Sequence, residues 1–233
     1  MTNWRLWFRV AWAALSERSN QAFYDEIAPI YDQVFVSHRV HAETILDLLQ
    51  EFSVDRDEAA LVLDLGCGTG LLSTLLADQG IQVIGLDISF RSLCILRQHQ
   101  QRIRVVQADA NGNGLPFANK AFRRVVCLGV CRHFSELQQI IMEVCRVLSD
   151  DGVFIVGYFP PALGGTVAQR QTRCSQVLRC LYQQITQKLG YVDRVDSALI
   201  GDTERLSGRH FKTVARVNSG NGQFLLMASH PSS

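Results

Sequence analysis

Three aspartates and a run of alternating glycines carry most of the chemistry that can be read in this chain. The run is Val62-Leu63-Asp64-Leu65-Gly66-Cys67-Gly68-Thr69-Gly70. Glycines at this spacing let the backbone turn tightly and let a bound molecule approach without meeting a Cβ. The N–H groups that open a following helix point into the same space. Asp87 ends the next apolar run, in Leu86-Asp87-Ile88, and Asp109 ends the one after, in Gln107-Ala108-Asp109-Ala110. A carboxylate at the end of a second strand can accept both hydroxyls of a ribose. One at the end of a third strand suits the exocyclic amine of an adenine.

A dinucleotide fingerprint would read G-x-G-x-x-G. Here the third glycine, Gly70, comes one position early and Leu71 stands in its place. Asp64, just before the loop, would repel a pyrophosphate and welcome an ammonium group. Loop and acids together ask for an adenosine with a cationic amino-acid tail and no phosphate, a description that S-adenosylmethionine fits.

The elements that must position these residues alternate. Apolar runs at 61–65, 81–86, 103–107, 124–128 and 153–158 read as strands. Amphipathic stretches at 71–79, 89–100 and 135–148 read as helices, with Ser89 as an N-cap and Gly80 as a C-terminal stop. That alternation predicts a parallel sheet covered on both faces. Runs at 211–217 and 223–228, split by Asn218-Ser219-Gly220-Asn221-Gly222, predict an antiparallel hairpin. The expected class is α/β: a doubly wound, Rossmann-like, seven-stranded sheet with an antiparallel C-terminal hairpin and a helical cap. The expected divisions are N-terminal helices or lid over 1–55, a binding core over 56–160, a cap insert over 161–205 with a helix near 166–189, and the hairpin over 206–233.

The sequence resembles the class I S-adenosylmethionine-dependent methyltransferases over about residues 20–160. VLDLGCGTG is similar to the family's first motif, and GLDIS, QADA, LPFANKAF and RVLSDDGVFIV follow in the expected order. The resemblance implies S-adenosylmethionine as cofactor. It places Asp64, Gly66, Gly68 and Gly70 at the methionine moiety, Asp87 at the ribose and Asp109 at the adenine amine. Cys67 takes a loop position that often lines the pocket, and Ile88 and Ala110 flank the adenine. Leu128 ends the fourth strand, which points at the reaction zone. An IAPIYD-like stretch over residues 27–32 is similar to one that precedes the core in quinone and carrier-protein methyltransferases, where it tends to close over the cofactor. It makes Tyr31 a candidate for the methionine end or the acceptor; the other reading is a tyrosine packed on the sheet.

Methyl transfer is an in-line displacement that asks chiefly for alignment and exclusion of water. A hydroxyl acceptor also needs a base, and His133, in Arg132-His133-Phe134, is the candidate. The other reading is a histidine facing solvent. Arg132 suits an anionic acceptor. The (Asp/Asn)-Pro-Pro-(Tyr/Phe) motif of amino-methylating enzymes is absent from the end of the fourth strand.

The 233 residues are 47% hydrophobic and 19% charged, with a formal net charge of +1. That composition suits a folded domain and shows no nucleic-acid footprint. Seven cysteines without a C-x-x-C pair read as reduced thiols in a cytoplasmic protein. Cys127, Cys131 and His133 read as core and pocket residues, with no metal. All three tryptophans fall within residues 4–12, on a stretch with Arg5 and Arg9. At helical spacing it reads either as an interfacial helix making peripheral membrane contact through residues 1–18 or as a helix docked on its own core. No signal peptide is expected, since Arg9 breaks the apolar stretch.

The resulting expectation is methyl transfer to a small, lipophilic or carboxylate-bearing acceptor. Its competitors are a non-catalytic S-adenosylmethionine sensor or assembly protein, an RNA methyltransferase and a nucleotide-dependent oxidoreductase.

Overall fold

The computed structural model describes residues 4–17, 19–35, 42–43, 45–47, 61–112, 114–158, 197–218 and 224–231. The apolar runs become β1 (Leu61–Leu65), β2 (Gln82–Asp87), β3 (Arg104–Gln107), β4 (Phe122–Leu128) and β5 (Leu148–Tyr158). Between them lie helices α4 (Leu71–Asp78), α5 (Phe90–His99) and α6 (Leu137–Val147). Helices α1 (Trp4–Ser16), α2 (Asn20–Ile27) and the single turn α3 (Tyr31–Val34) precede them. Helix α7 (Ser197–His210) leads into β6 (Phe211–Asn218) and β7 (Phe224–Pro231). The strand order is β3-β2-β1-β4-β5-β7-β6. β1 to β5 run parallel, and β7 enters antiparallel between β5 and β6. The chain reverses its direction of travel across the sheet between β1 and β4, which leaves a crevice at their carboxyl ends.

Side-chain alternation sorts the core. Leu63 and Leu65 of β1 face one side, with Ile84, Leu86, Ile141 and Val144. Val62 faces the other, with Leu72 and Leu76 of α4. Asp64 shares the Val62 side, since strand residues two apart point the same way.

Local chemistry fixes the element ends. Ser89 caps α5, its hydroxyl accepting from the Ser92 amide at 3.1 Å. Gly80, at φ +81°, stops α4: its amide bonds to the Ala77 carbonyl and the Ile81 amide to Leu76. Those two bonds form a Schellman motif, which needs a left-handed residue at the position Gly80 fills. β5 is irregular at residues 149–152, where its register against β4 shifts. Leu148 pairs with Phe122 and Val153 with Arg124, so residues 149–152 stand opposite Arg123. Asp151 meets Arg123 there at 2.8 Å.

α1 lays Val10, Ala13 and Ala14 on Phe23, Ile27 and Ile30. α7 brings Ile200 and Leu206 into the main core and crosses the division expected at 205/206. The cap helix expected near 166–189 lies outside the described residues. Among the described residues no helix is long and apolar enough to cross a membrane.

Candidate active site

At the carboxyl ends of β1, β2, β3 and β4 the crevice holds a cavity of about 110 Å³. Its sheet-side wall is Leu65, Gly66, Gly68, Leu86, Asp87 and Ile88, continued by Ala108, Asp109 and Ala110 after β3 and by Leu128, Gly129 and Val130 at the end of β4. Opposite stand Asn20, Tyr24 and Tyr31 of the N-terminal helices, with Arg132, His133 and Phe134 beside them.

Asp87 is the last residue of β2, one position beyond Leu86, which pairs with the last residue of β1. It therefore projects past the sheet and beside the glycine loop. Its Oδ2 accepts the Gly68 amide and its Oδ1 the Ser89 amide, both at 2.8 Å. Burial raises its pKa, and those amides oppose the rise. Each carboxylate oxygen has a second lone pair, so the group can take ribose hydroxyls while it holds the loop. The loop reaches it through positive φ at Gly66 (+78°) and Gly68 (+55°). A Cβ on Gly66 would strike Val130 Cγ2 at 2.3 Å, whereas one on Gly68 would meet nothing within 4 Å. The loop thus presents bare backbone to the cavity. Asp109 Oδ1 accepts the Asn111 amide at 2.9 Å.

Three residues expected at the cofactor are not part of the cavity wall. Asp64 stands on the same sheet face as Asp87 but one pleat earlier, opposite Gly85, and α4 covers it. It is 2% exposed and accepts from Ser73 Oγ at 2.6 Å. Burial pushes its pKa up to about 6. Cys67 packs with Leu93, Leu96 and Ile103, and burial raises its thiol well above the ordinary range. Gly70 caps α4 at φ +89°, where a Cβ would meet Leu96 Cδ1 at 2.1 Å. It is a glycine for α5's sake. Gly66, Gly68, Asp87, Ile88, Asp109, Ala110 and Leu128 all line the cavity, as do His133 and Tyr31.

His133 does not face solvent. Its Nε2 lies 2.9 Å from the Tyr24 hydroxyl, and the two rings meet edge to face at 5.5 Å. Burial, and then the Arg132 charge, lower its pKa to about 3. The imidazole is therefore neutral across the physiological range. Cys127 and Cys131 are buried in the main core with their sulfurs 3.6 Å apart. Among the described residues no group of three or more metal-ligating side chains gathers.

The sequence reading missed Tyr24 and the means by which the N-terminal helices are held. Tyr24-Asp25 and Tyr31-Asp32 are two Tyr-Asp pairs seven residues apart. Each tyrosine lines the cavity. Each aspartate binds a hydroxyl on one of the core's loops: Asp32 takes Thr69 Oγ1 and Asp25 takes Ser89 Oγ, both at 2.7 Å. Asp25 also accepts the Arg91 amide at 3.0 Å. The repeat was the available signal.

A methyltransferase domain model matches residues 63–156, a span that contains the glycine loop and all three aspartates. A demethylmenaquinone methyltransferase of Thermus thermophilus is 30% identical over 178 residues, 72% of this chain and 74% of that protein. The chain belongs to the S-adenosylmethionine-dependent methyltransferases. A 2-phytyl-1,4-naphtoquinone methyltransferase of Thermosynechococcus vestitus is 34% identical over 57% of this chain and 60% of its own. The chain spans 49% and 60% of the length of the curated relatives it matches first. The solved PH0226 protein of Pyrococcus horikoshii shares the fold of this methyltransferase family member, with a TM-score of 0.62 and 24% identity over 87% of this chain and 98% of that one.

The wall fits the family's cofactor. Carboxylates from β2 and from the end of β3 face one cavity, apolar residues flank both, and the loop's open side at Gly68 leaves room where a side chain would intrude.

Proposed function

We propose that this chain methylates a small lipophilic acceptor, with a ring of the naphthoquinone kind as the favoured class. The observation that carries this reading is the aromatic side of the cavity. Tyr24, Tyr31, His133 and Phe134 line the same cavity as the two carboxylates, together with Leu128 and Val130. Such a surface can sandwich a flat apolar ring. The names of the Thermus and Thermosynechococcus relatives point to the same class of acceptor.

In this reading Asp87 and Asp109 hold the two ends of the adenosine, with Ile88, Ala110 and Leu128 along its faces. Gly66 and Gly68 offer backbone to the methionine end. Asp64, Cys67 and Gly70 act one step back, by shaping the loop. When bound, S-adenosylmethionine supplies an electrophilic methyl group. Tyr24 and His133 orient the acceptor's oxygen by hydrogen bonding. An imidazole held near 3 stores a proton poorly, so the pair positions the acceptor rather than acting as a strong base. The N-terminal helices exclude water from the cavity.

The test supplies radiolabelled S-adenosylmethionine with a short-chain naphthohydroquinone, a fatty acid, a catechol and a bulk RNA. Label in the naphthohydroquinone is expected. Label only in the fatty acid would move the acceptor to the carboxylates and to Arg132. Label only in the RNA, or cofactor binding with no transfer at all, would replace the reading with one of its competitors.

A further inference from the structure

α1 is apolar on two opposite faces. Val10, Ala13 and Ala14 are buried against α2 and α3. On the far side Phe8, Trp12 and Leu15 are 54%, 63% and 63% exposed. Their spacing of four and three aligns them in one stripe along the axis. A helix with two apolar faces, only one of them packed on its own protein, has a second face left to cover. α1 also carries Arg5 and Arg9 and no acidic residue over its thirteen positions. Arg9 reaches Glu26 of α2 at 3.7 Å, but both side chains stay about half exposed, so the pair is a weak competitor for lipid phosphate.

We infer that this outer stripe docks on the surface of an anionic lipid bilayer. Aromatic and leucine side chains entering the headgroup region, with arginines beside lipid phosphate, are the pattern of a helix lying in the interface. The area argues against a second copy of the chain. The three side chains offer about 400 Å² of apolar surface, and each partner of a stable protein interface buries about 800 Å². A bilayer needs no such complement. Thirteen residues rise about 20 Å, short of the ~30 Å hydrocarbon core, so the helix lies on the membrane and does not span it.

The placement gives the contact a use. The buried face of α1 packs on the cluster that holds Tyr24 and Tyr31, and both tyrosines line the cavity. A docked α1 therefore sets the aromatic wall one helix away from lipid, where an acceptor dissolved in the bilayer would enter. Lipid docking stands apart from methyl transfer, and either can fail without the other.

All three tryptophans lie in α1, at positions 4, 7 and 12, so intrinsic fluorescence reports on this helix alone. The full chain is mixed with phosphatidylcholine vesicles with and without 30 mol% phosphatidylglycerol, and followed by emission and by sedimentation. A blue shift is expected with the anionic vesicles, with retention about tenfold above that on uncharged ones. Phe8→Ser/Leu15→Ser should abolish retention and leave S-adenosylmethionine affinity unchanged, which shows the variant folded. Arg9→Glu should reduce retention at least fivefold. No shift with either vesicle, or equal retention on both, would overturn the inference. So would a dimer in light scattering that Phe8→Ser/Leu15→Ser dissolves, since a second copy would then cover the stripe.

Discussion

The two walls of the cavity are made in different ways. The sheet-side wall is backbone: glycines at positive φ, strand ends, and Asp87 clasped by two amides. The facing wall is side chain: Asn20, Tyr24 and Tyr31 on short helices, held down by aspartates on the hydroxyls of Thr69 and Ser89 and by Tyr24 on His133. A backbone wall tolerates almost no change of residue but hardly moves. A wall tied by single side-chain bonds, each worth about 1 kcal/mol, can open and close. Binding should therefore depend on the first wall and turnover on the second.

The largest expected effect breaks the backbone wall. Gly66→Ala adds a methyl 2.3 Å from Val130 Cγ2 at φ +78°. Left-handed strain and overpacking together should cost about 3 kcal/mol of stability. Gly68→Ala has open space at φ +55° and should cost about 1 kcal/mol, while its methyl lowers cofactor affinity. Urea denaturation with a binding titration separates the two. Equal stability losses would show that loop packing does not govern this wall.

Next comes Asp64, the carboxylate one pleat inside the same wall. Its pKa rises from 3.8 to about 6 in the folded chain. Between those values the folded state holds a proton that the unfolded state has released, so this group's contribution falls as pH rises through the window. At pH 7 the ionised, buried group costs about 3 kcal/mol. Asp64→Asn keeps an acceptor for Ser73 and removes the charge. It should stabilise the protein by up to that amount at pH 7 and by nothing at pH 4, with cofactor affinity unchanged. A fall in affinity would return Asp64 to the cofactor's contacts.

Asp87→Ala should weaken S-adenosylmethionine by about 1.5–3 kcal/mol, the loss of charged hydrogen bonds. Calorimetry on the folded variant measures it, and unchanged affinity would remove Asp87 from the site.

The same division explains what could be read in the sequence. Strands, glycine loop and the Asp87 and Asp109 positions were legible because each depends on local pattern: apolar runs, glycine spacing, the residue that ends a strand. Asp64 has the right spacing to the loop, but its burial depends on the pleat and on Ser73 arriving from α4, which the sequence does not show. Cys67 and Gly70 stand away from the cavity wall because α5, distant in sequence, packs against them. The side-chain wall was half legible. Tyr31 and His133 stood out by type, but the bond from residue 24 to residue 133 spans 109 positions, and no local rule gives it.

The smallest expected effect tests the side-chain wall directly. Asp25→Ala removes the acceptor for Ser89 Oγ and the Arg91 amide, and Asp32→Ala the acceptor for Thr69 Oγ1. Each bond is partly exposed, so each variant should lose about 1 kcal/mol or less of stability. Neither aspartate is part of the cavity wall, so equilibrium affinity for the cofactor should fall only a few-fold. Dissociation should speed up, because the wall opens more often, and kcat should fall as water enters. The double variant decides the matter, since the two bonds anchor the same helices to different loops. If the helices move as one lid, the second loss should accelerate dissociation more than the first. If each anchor holds only its own turn, the two effects should simply multiply. Stopped-flow release of S-adenosylhomocysteine distinguishes these outcomes. A double variant that releases it at the wild-type rate would show that the side-chain wall is as fixed as the backbone one.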